Sequence, residues 1–429
     1  MRNKRAIGLL FVANSISGFA QGISMIAIPW HFTNVLGLPQ LFAQIMLLVS
    51  VISIFWGVYS GSLIDRFNRQ RIYMGVCVAG SIMLVVAATK GMLTGEMDAF
   101  TVGAVFAGTF LIYNIHYPNL YAFIQEISEP KDYGRVSSYI EIQGQFTTAI
   151  AGAMAAILLG GSTDGFIRLI GLEIPVNFTF EGWSLERVFL LDAATYLVAF
   201  GLVAFVKYEA VATRNYEPEP ILQRIKVGFS FLKRNPMLLL FGTFASNIFV
   251  AIIVINFFLK PVYVAEHLKL GPDVYATYEI YFALGSLFAG LMIRRIFMHT
   301  NTPKAIIILH LVAAVVFFTY SFNTNLVVFF GLAFMLGLAN AGSRIMRVTY
   351  MFQHTPNQLI GRTGSVFMVT NLLMRIGFLV LFMLPFFYHS GHIVWVMGIF
   401  GAFMVITALV LGLYYKPMVD LKVEPAVKG

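Results

Sequence analysis

Long apolar segments dominate this chain and constrain its fold more than any other feature. Of its 429 residues 59% are hydrophobic and 11% are charged, whereas about a quarter of a soluble domain is charged. A membrane-spanning helix needs ~20 apolar residues. The runs are continuously apolar, which favours helices over the alternating strands of a β-barrel. The sequence therefore predicts an all-α membrane protein with twelve transmembrane helices, near residues 6–36, 41–64, 72–93, 98–124, 136–160, 187–206, 236–259, 275–296, 304–322, 326–351, 362–387 and 391–415.

A hydrophilic stretch divides the twelve segments into two sets of six. We predict an N-terminal half at 1–206, a cytoplasmic linker at 207–235 and a C-terminal half at 236–429. The basic start MRNKR precedes an apolar run that is too long for a cleaved signal peptide, which favours a first membrane helix.

The linker contains the sequence EPILQRIKVGFSFLKRNP, which predicts an amphipathic helix on the membrane surface. Its Lys and Arg side chains would meet anionic headgroups. Its apolar side chains would point inward: Ile221, Ile225, Phe229 and Leu232.

The 29 Lys and Arg residues predict the orientation of the chain. Three lie inside the segments, and most of the others lie on the side that holds the N-terminus. Loops on the opposite side contain only Lys90, Arg168, Arg187, Lys260 and Lys269. Since cytoplasmic loops are rich in Lys and Arg, we expect both termini in the cytoplasm of a bacterial inner membrane. The net charge of +9 is then a topology signal, and no nucleic-acid partner is expected.

Two short patterns recur in the two halves. The fourth segment is followed by IQEISEPKDYGRVSS and the tenth by FQHTPNQLIGRTGS, while the second ends GSLIDR and the eighth ends GLMIRR. Corresponding helices of the two halves thus end alike. Parallel six-helix repeats build one large class of transporters, with the substrate site at the interface of the repeats.

The stretch GSLIDRFNRQR, residues 61–71, joins the second and third segments. It resembles the loop between helices 2 and 3 of the major facilitator superfamily, roughly G-x-L-x-D-R-x-G-R-R/K. Three further stretches are similar to the bacterial macrolide-efflux and enterobactin-exporter branch: YPNLYAFIQEISEPKDYGRVSS, ILQRIKVGFSFLKRNPMLLL and FLLDAATYLVAF. The resemblance covers residues 5–415 and implies the major facilitator fold, with alternating access of two six-helix halves.

The resemblance implies a secondary active transporter, with proton-coupled export of a drug-like or siderophore-like small molecule. A lysophospholipid or organic-anion transporter, with other coupling or with uptake, is the alternative. Neither GxxxxGK[ST] nor HExxH nor GxSxG occurs, so ATP hydrolysis and an enzyme are not expected. The lone Cys77 provides no disulfide or cysteine metal site. We expect a monomer in the lipid bilayer with no cofactor and no metal.

The charged loop predicts a latch that closes the cytoplasmic gate. Two glycines form a small-xxx-small pair for close helix approach, and the carboxylate could pair with a nearby arginine or cap a helix. Asn68, in place of the family's Gly, predicts a left-handed turn residue. The alternative is that the arginines only set the topology. The latch residues are Gly57, Gly61, Asp65, Arg66, Arg69 and Arg71.

Polar residues inside the segments are candidates for the substrate cavity, because ionisable groups are costly in hydrocarbon. In the superfamily, segments 1, 4, 7 and 10 line the cavity. Hydrogen bonds between helices explain the amides equally well, and Arg347 could reach the interface. Arg375 needs a partner, either Glu279 or a bound anion. The candidates are Asn14, Gln21, Asn114, Tyr117, Asn247, Asn256, Asn340, Arg344 and Arg375.

Proton coupling needs a buried group whose ionisation changes with the side it faces. Glu141 is the first candidate, with His116 and Glu279 after it. Asp192 matches a family position and is expected to hold helix ends together.

Overall fold

The computed structural model describes residues 4–128, 133–169, 172–207, 221–356, 359–388 and 391–421. The first part contains α1 (Lys4–Trp30), α2 (Pro39–Arg66), α3 (Arg69–Thr94), α4 (Ala99–Ile127), α5 (Tyr133–Gly160), β1 (Phe166–Leu169), β2 (Leu172–Pro175) and α6 (Leu185–Ala204). The second part contains α7 (Ile221–Arg234), α8 (Pro236–Phe244), α9 (Asn247–Val254), α10 (Lys260–Val262), α11 (Pro272–Ile296), α12 (Thr302–Tyr320), α13 (Leu326–His354), α14 (Ile360–Phe382), α15 (Ile393–Leu413) and α16 (Tyr415–Val419).

Twelve helical spans in the described chain are long and apolar enough to cross a membrane. The third, for example, runs over Arg69–Thr94 and the twelfth over Ile393–Leu413, within a few residues of the predicted ends. The prediction of an all-α membrane protein with twelve transmembrane helices is confirmed. Among the described residues, no group of three or more His, Cys, Asp and Glu could hold a metal ion.

Short polar side chains set where several spans begin. Asn68 accepts a hydrogen bond from the backbone N–H of Arg71 at 3.1 Å, and Asp98 accepts one from that of Thr101 at 3.0 Å. Such caps satisfy N–H groups that have no partner inside the helix. Asn68 has φ −60° and ψ 124°, so the prediction of a left-handed residue there is wrong, because the cap needs extended backbone. Lys90, 2.6 Å from Asp98, holds the pKa of the Asp98 carboxyl well below its ordinary value.

The loop between α5 and α6 contains a small antiparallel hairpin that the apolar pattern did not predict. In the register of β1 and β2, Phe166 lies opposite Pro175 at one end and Leu169 lies opposite Leu172 at the other. Arg168 pairs with Asp164 and, across the hairpin, with Glu173. The guanidinium lowers the pKa of Asp164. These exposed ion pairs and the cross-strand ladder give a long loop a defined shape.

The chain forms two compact units. Unit 1 comprises residues 1–218 and 270–280, and unit 2 comprises residues 219–269 and 281–429. The start of α11 thus belongs to unit 1, although it follows the predicted linker. The predicted domain boundaries stay a prediction.

The predicted amphipathic helix of the linker is present as α7. Leu232 is fully buried in the core of unit 2 with Phe241 and Tyr350, and Ile225 packs against the same core. Phe229 is 50% exposed. The apolar face of α7 therefore packs largely on protein, which attaches the linker helix to unit 2.

Two glycines in unit 2 bring α11 and α13 into backbone contact. A Cβ at Gly285 would collide with the carbonyl oxygen of Phe334, and a Cβ at Gly337 would collide with that of Phe282. The Ser286 hydroxyl donates to the carbonyl oxygen of Gly337 at 3.2 Å. Since small residues let membrane helices approach closely, this crossing fixes where the two helices meet.

Gly337→Ala is expected to lower the thermal midpoint of the purified protein by several degrees. The added methyl group meets backbone, which cannot rotate away, and overpacking of this kind costs ~1–3 kcal/mol. Gly331→Ala on the same helix is the control, because a Cβ there meets no described atom within 4 Å. Equal midpoints for the two variants would show that the crossing is not tight.

Candidate functional site

A buried hydrogen-bonded network joins three transmembrane helices of unit 1. His116 of α4 lies with its Nε2 2.9 Å from Oδ1 of Asn14 on α1. Nδ2 of Asn14 donates to Oε1 of Gln143 on α5 at 3.3 Å. His116 is 8% exposed and Asn14 is 6% exposed. The network therefore places a titratable ring between helices, away from the surface of the unit.

The direction of every hydrogen bond in the network follows from one backbone carbonyl. Nε2 of Gln143 donates to the carbonyl oxygen of Phe11 and to Oγ of Ser15, each at 2.6 Å. The Oε1 of Gln143 must then accept from Asn14, and Oδ1 of Asn14 must accept from His116. The His116 ring consequently carries a proton on Nε2, and only Nδ1 can gain or lose one.

Two tyrosine rings lie next to His116. The ring centroid of Tyr73 on α3 is 4.8 Å away and that of Tyr117 is 5.8 Å away. Aromatic rings within ~6 Å attract a cation. The two rings would offset part of the cost of a second proton on buried His116, and Nε2 would keep its hydrogen bond to Asn14.

Asp192 forms a second buried contact to α1. Its Oδ2 accepts a hydrogen bond from the Ser24 hydroxyl at 2.6 Å, and the side chain is fully buried. Its Oδ1 has no hydrogen-bond partner within the described ranges. The contact joins α1 to α6, and the role of Asp192 in holding helix ends together stays a prediction.

The predicted latch loop makes contacts within unit 1. Nε of Arg69 lies 3.4 Å from Oε1 of Glu126 on α4, and Asn119 donates to the carbonyl oxygen of Arg69 at 2.9 Å. Arg66 and Arg71 are exposed, and the Asp65 side chain lies outside the described residues. No described atom lies within 4 Å of a Cβ at either predicted glycine, Gly57 or Gly61. The described part of this structure thus has no close helix approach there, and the latch stays a prediction.

The remaining cavity candidates of unit 1 have separate positions. Asn114 donates to the carbonyl oxygen of Phe110 in its own helix at 2.9 Å. The ring of Tyr117 contacts that of Tyr113, with 4.4 Å between ring centroids and an interplanar angle of 38°. Gln21 is half-buried on α1. The structure brings Asn14, His116 and Tyr117 together and leaves Asn114 bonded within α4.

Two proton-coupling candidates lie elsewhere. The Glu141 side chain lies outside the described residues. Glu279 lies near the start of α11, where a Cβ at Gly152 of α5 would be 3.1 Å from the Cβ of Glu279 and 3.0 Å from the carbonyl oxygen of Ala276. Of the three candidates, the network contains His116.

In unit 2, the seventh span is broken between α8 and α9. α8 ends at Phe244 and α9 begins at Asn247. The Ser343 hydroxyl of α13 donates to the carbonyl oxygen of Ala245 at 3.0 Å. The Ser246 hydroxyl donates to Oδ1 of Asn371 on α14 at 2.6 Å. The break is therefore held by one side chain from α13 and one from α14.

The basic candidates lie on the same two helices. Arg344 and Arg347 are on α13, and the like charge of Arg344 acts on Arg347. Arg375 is on α14, and its Nε is buried without a hydrogen-bond partner in the described chain. Asn340, one turn before Arg344, has an Oδ1 that is also buried without a hydrogen-bond partner in the described chain.

Two asparagines of the seventh span differ from each other. Nδ2 of Asn247 donates to Oγ1 of Thr407 on α15 at 2.8 Å, and the residue is 1% exposed. This is the helix-to-helix hydrogen bond of the alternative interpretation. Asn256 lies in a π-helical turn, Ile255–Leu259, beyond the end of α9.

Sequence reasoning did not single out three groups that organise these sites. Gln143, Ser24 and Asn371 are not among the candidates from the sequence. Each lies on an apolar helix where a single polar residue carries little periodic signal. An amide or hydroxyl on a membrane helix indicates a helix contact only when its hydrogen-bond partner is known, because its contribution to stability comes from that bond.

The chain matches the family model described as Major Facilitator Superfamily over residues 10–379. Macrolide efflux protein A of Streptococcus pyogenes is 21% identical over 292 residues, which cover 66% of this chain and 65% of that protein. The match thus spans a little less than two thirds of the relative's length.

Solved transporter structures share the fold. The nucleoside transporter NupG has 14% identity and a TM-score of 0.69, with 97% of this chain and all of that chain covered. A bacterial homologue of the lysosomal transporter Spinster, inward-facing and unoccupied, has 14% identity and a TM-score of 0.67 over 99% of this chain and 100% of that chain. The POT family transporter PepTSo has 11% identity and a TM-score of 0.70 over 97% of this chain and 99% of that chain. These likenesses confirm the predicted fold and show the fold alone.

Proposed function

The chain belongs to the Major Facilitator Superfamily, and we propose that it is a secondary active transporter that exports a small molecule in exchange for protons. Alternating access of its two halves would carry the substrate across a bacterial inner membrane, with both termini in the cytoplasm. Macrolide efflux protein A, a relative by sequence, is named for efflux, which supports export as the direction.

The observation that carries the proposal is the network of His116, Asn14 and Gln143. A proton-coupled transporter needs a titratable group that is shielded from bulk water and tied to helices that can move. His116 is held through Nε2 by α1 and, through Asn14, by α5. Because its Nδ1 can take up a proton while Nε2 stays bonded, proton uptake can change the charge of the network without dissolving it.

Proton movement driven by a compound tests the proposal directly. The purified full chain would be reconstituted into liposomes that contain the pH dye pyranine. Erythromycin, 2,3-dihydroxybenzoate and lysophosphatidylglycerol would be added in turn. We expect at least one compound to move protons in proteoliposomes and not in protein-free liposomes. A complete lack of proton movement, together with compound flux that ignores an imposed pH gradient, would refute proton exchange.

Asp65→Asn is expected to lower transport several-fold while membrane expression stays unchanged. The amide keeps the size of the side chain and removes the charge that the predicted latch needs. Asp420→Asn is the control, since Asp420 is an exposed carboxylate near the end of the described chain. Transport and surface expression would be measured in cells that lack their own efflux pumps. Equal transport by the two variants would leave the loop with a topological role only.

A further inference from the structure

Three arginines lie in membrane spans of unit 2. No Asp or Glu occurs between Glu279 and Asp420, and this stretch contains Arg344, Arg347 and Arg375 in its spans. Burying an unpaired cation is costly in a medium of low polarity. For Arg347 and Arg375, something other than a carboxylate of this stretch must therefore offset at least part of the charge.

Two of the arginines are the clearest cases. Among the described residues, no ion pair involves Arg347 or Arg375. The charged neighbours that act on Arg347 include Arg344, a like charge. Nε of Arg375 is buried without a hydrogen-bond acceptor. Both guanidinium groups thus have donors that a ligand oxygen could use.

The two side chains that hold the break in the seventh span each lie one helical turn from an arginine. Ser343, which binds the carbonyl of Ala245, is four residues before Arg347 on α13. Asn371, which binds Ser246, is four residues before Arg375 on α14. Residues four apart share one helix face, so each arginine lies on the face that touches the break.

Asn340 and Arg375 lie at similar depths along α13 and α14, whereas Arg347, seven residues before His354, lies roughly 10 Å from that end. The described ends His354 of α13 and Ile360 of α14 are close in sequence. Asn340 is fourteen residues before His354, roughly 21 Å at 1.5 Å per residue. Arg375 is fifteen residues after Ile360, roughly 22 Å on the same basis. The buried Oδ1 of Asn340 and the buried Nε of Arg375 are therefore polar groups at similar depth.

We propose that the transported substrate carries an oxyanion, a carboxylate or phosphate, which Arg375 binds beside the break between α8 and α9. The inference rests on the proposed function and names its class of substrate. The guanidinium group of Arg375 presents planar pairs of N–H donors that match carboxylate and phosphate oxygens, and Arg347 adds positive charge on the other side of the break. A polar group at the same depth could hydrogen-bond to a hydroxyl or amide next to the anion, and the apolar helix walls suit a hydrophobic part of the substrate. A cationic substrate would meet like charge here.

Matched pairs of probes test the charge requirement and its source. Salicylate and salicylamide differ in charge and are water-soluble, while lysophosphatidylglycerol and lysophosphatidylcholine are an anionic and a zwitterionic lipid. The thermal midpoint of the full chain in detergent would be measured with each. We expect the anionic member of at least one pair to raise the midpoint and its partner to have little effect. The soluble pair points to an aqueous organic anion and the lipid pair to an anionic lipid.

Variants separate binding from folding. Arg375→Gln is expected to weaken the anion's apparent affinity about tenfold or more, as for loss of a charge-assisted hydrogen bond. Without ligand, the same variant should have a midpoint equal to or above that of the unchanged chain, because an unpaired buried charge is gone. Arg375→Lys should retain part of the anion response. Arg295→Gln, at an exposed position, is the control and should respond as the unchanged chain does.

Two results would overturn the inference. One is an equal response to both members of both pairs. The other is a fall in the ligand-free midpoint of Arg375→Gln with an unchanged anion response, which would identify Arg375 as a structural cation. If either occurs while the pyranine assay still shows compound-driven proton movement, the transporter assignment stands and only the substrate class is wrong.

Discussion

His116→Gln is expected to abolish uphill transport driven by a pH gradient while passive exchange of the same compound continues. Glutamine can still donate from Nε2 to Oδ1 of Asn14, so the hydrogen bond of 2.9 Å has a substitute. The amide cannot gain a proton near neutral pH. With a gradient of one pH unit and one proton per substrate, the unchanged chain can accumulate substrate about tenfold. The variant should reach no accumulation.

The control for this variant is His299→Gln. His299 is exposed beyond the end of α11, and its replacement should leave both accumulation and exchange unchanged. Flux would be followed in proteoliposomes with the compound that moves protons in the pyranine assay. Full accumulation by His116→Gln would exclude His116 as the coupling residue and would leave Glu141 and Glu279 as the candidates.

Asp192→Ala is expected to lower the thermal midpoint by several degrees, whereas Asp192→Asn should remain close to the unchanged chain. Alanine leaves the Ser24 hydroxyl, now 2.6 Å from Oδ2, without a partner and creates a cavity, together ~2–4 kcal/mol. Asparagine still offers an oxygen to Ser24. If Asp192 only joins α1 to α6, the loss of its charge in Asp192→Asn should not change transport.

The pair of variants also distinguishes a structural role from a coupling role for Asp192. Thermal unfolding and gradient-driven accumulation would be measured on both. If Asp192→Asn is stable and uncoupled, Asp192 carries the proton and the account of His116 is incomplete. If Asp192→Asn is stable and coupled, Asp192 joins α1 to α6 and does no more.

Much of the fold could be predicted because hydrocarbon imposes a strict rule on the chain. Backbone polar groups in hydrocarbon need hydrogen bonds inside the protein, so a continuous apolar run such as 72–93 is expected to be a helix, and it is part of α3. The hairpin from Phe166 to Pro175 lies outside the apolar runs, where that rule does not apply. Its short strands depend on a cross-strand register and on ion pairs such as Arg168 with Glu173, which periodicity does not reveal.

The contacts of the candidate site could be predicted only in part. Asn14 and His116 were identified one by one as polar groups in apolar helices. Their hydrogen bond joins residues 102 positions apart, and the bond from Asn14 to Gln143 joins residues 129 positions apart. Spacing within one helix says nothing about such pairs. The break at Ala245 and Ser246 was not predicted, because neither residue is a helix breaker and the contacts to it come from Ser343 and Asn371 on other helices.

The central claim is that His116 couples proton movement to substrate movement. The most direct measurement is the accumulation of the transported compound in proteoliposomes, with and without an imposed pH gradient, for the unchanged chain and for His116→Gln. We predict gradient-dependent accumulation by the unchanged chain, and only exchange that ignores the gradient by the variant. Gradient-dependent accumulation of equal size in both would contradict the claim.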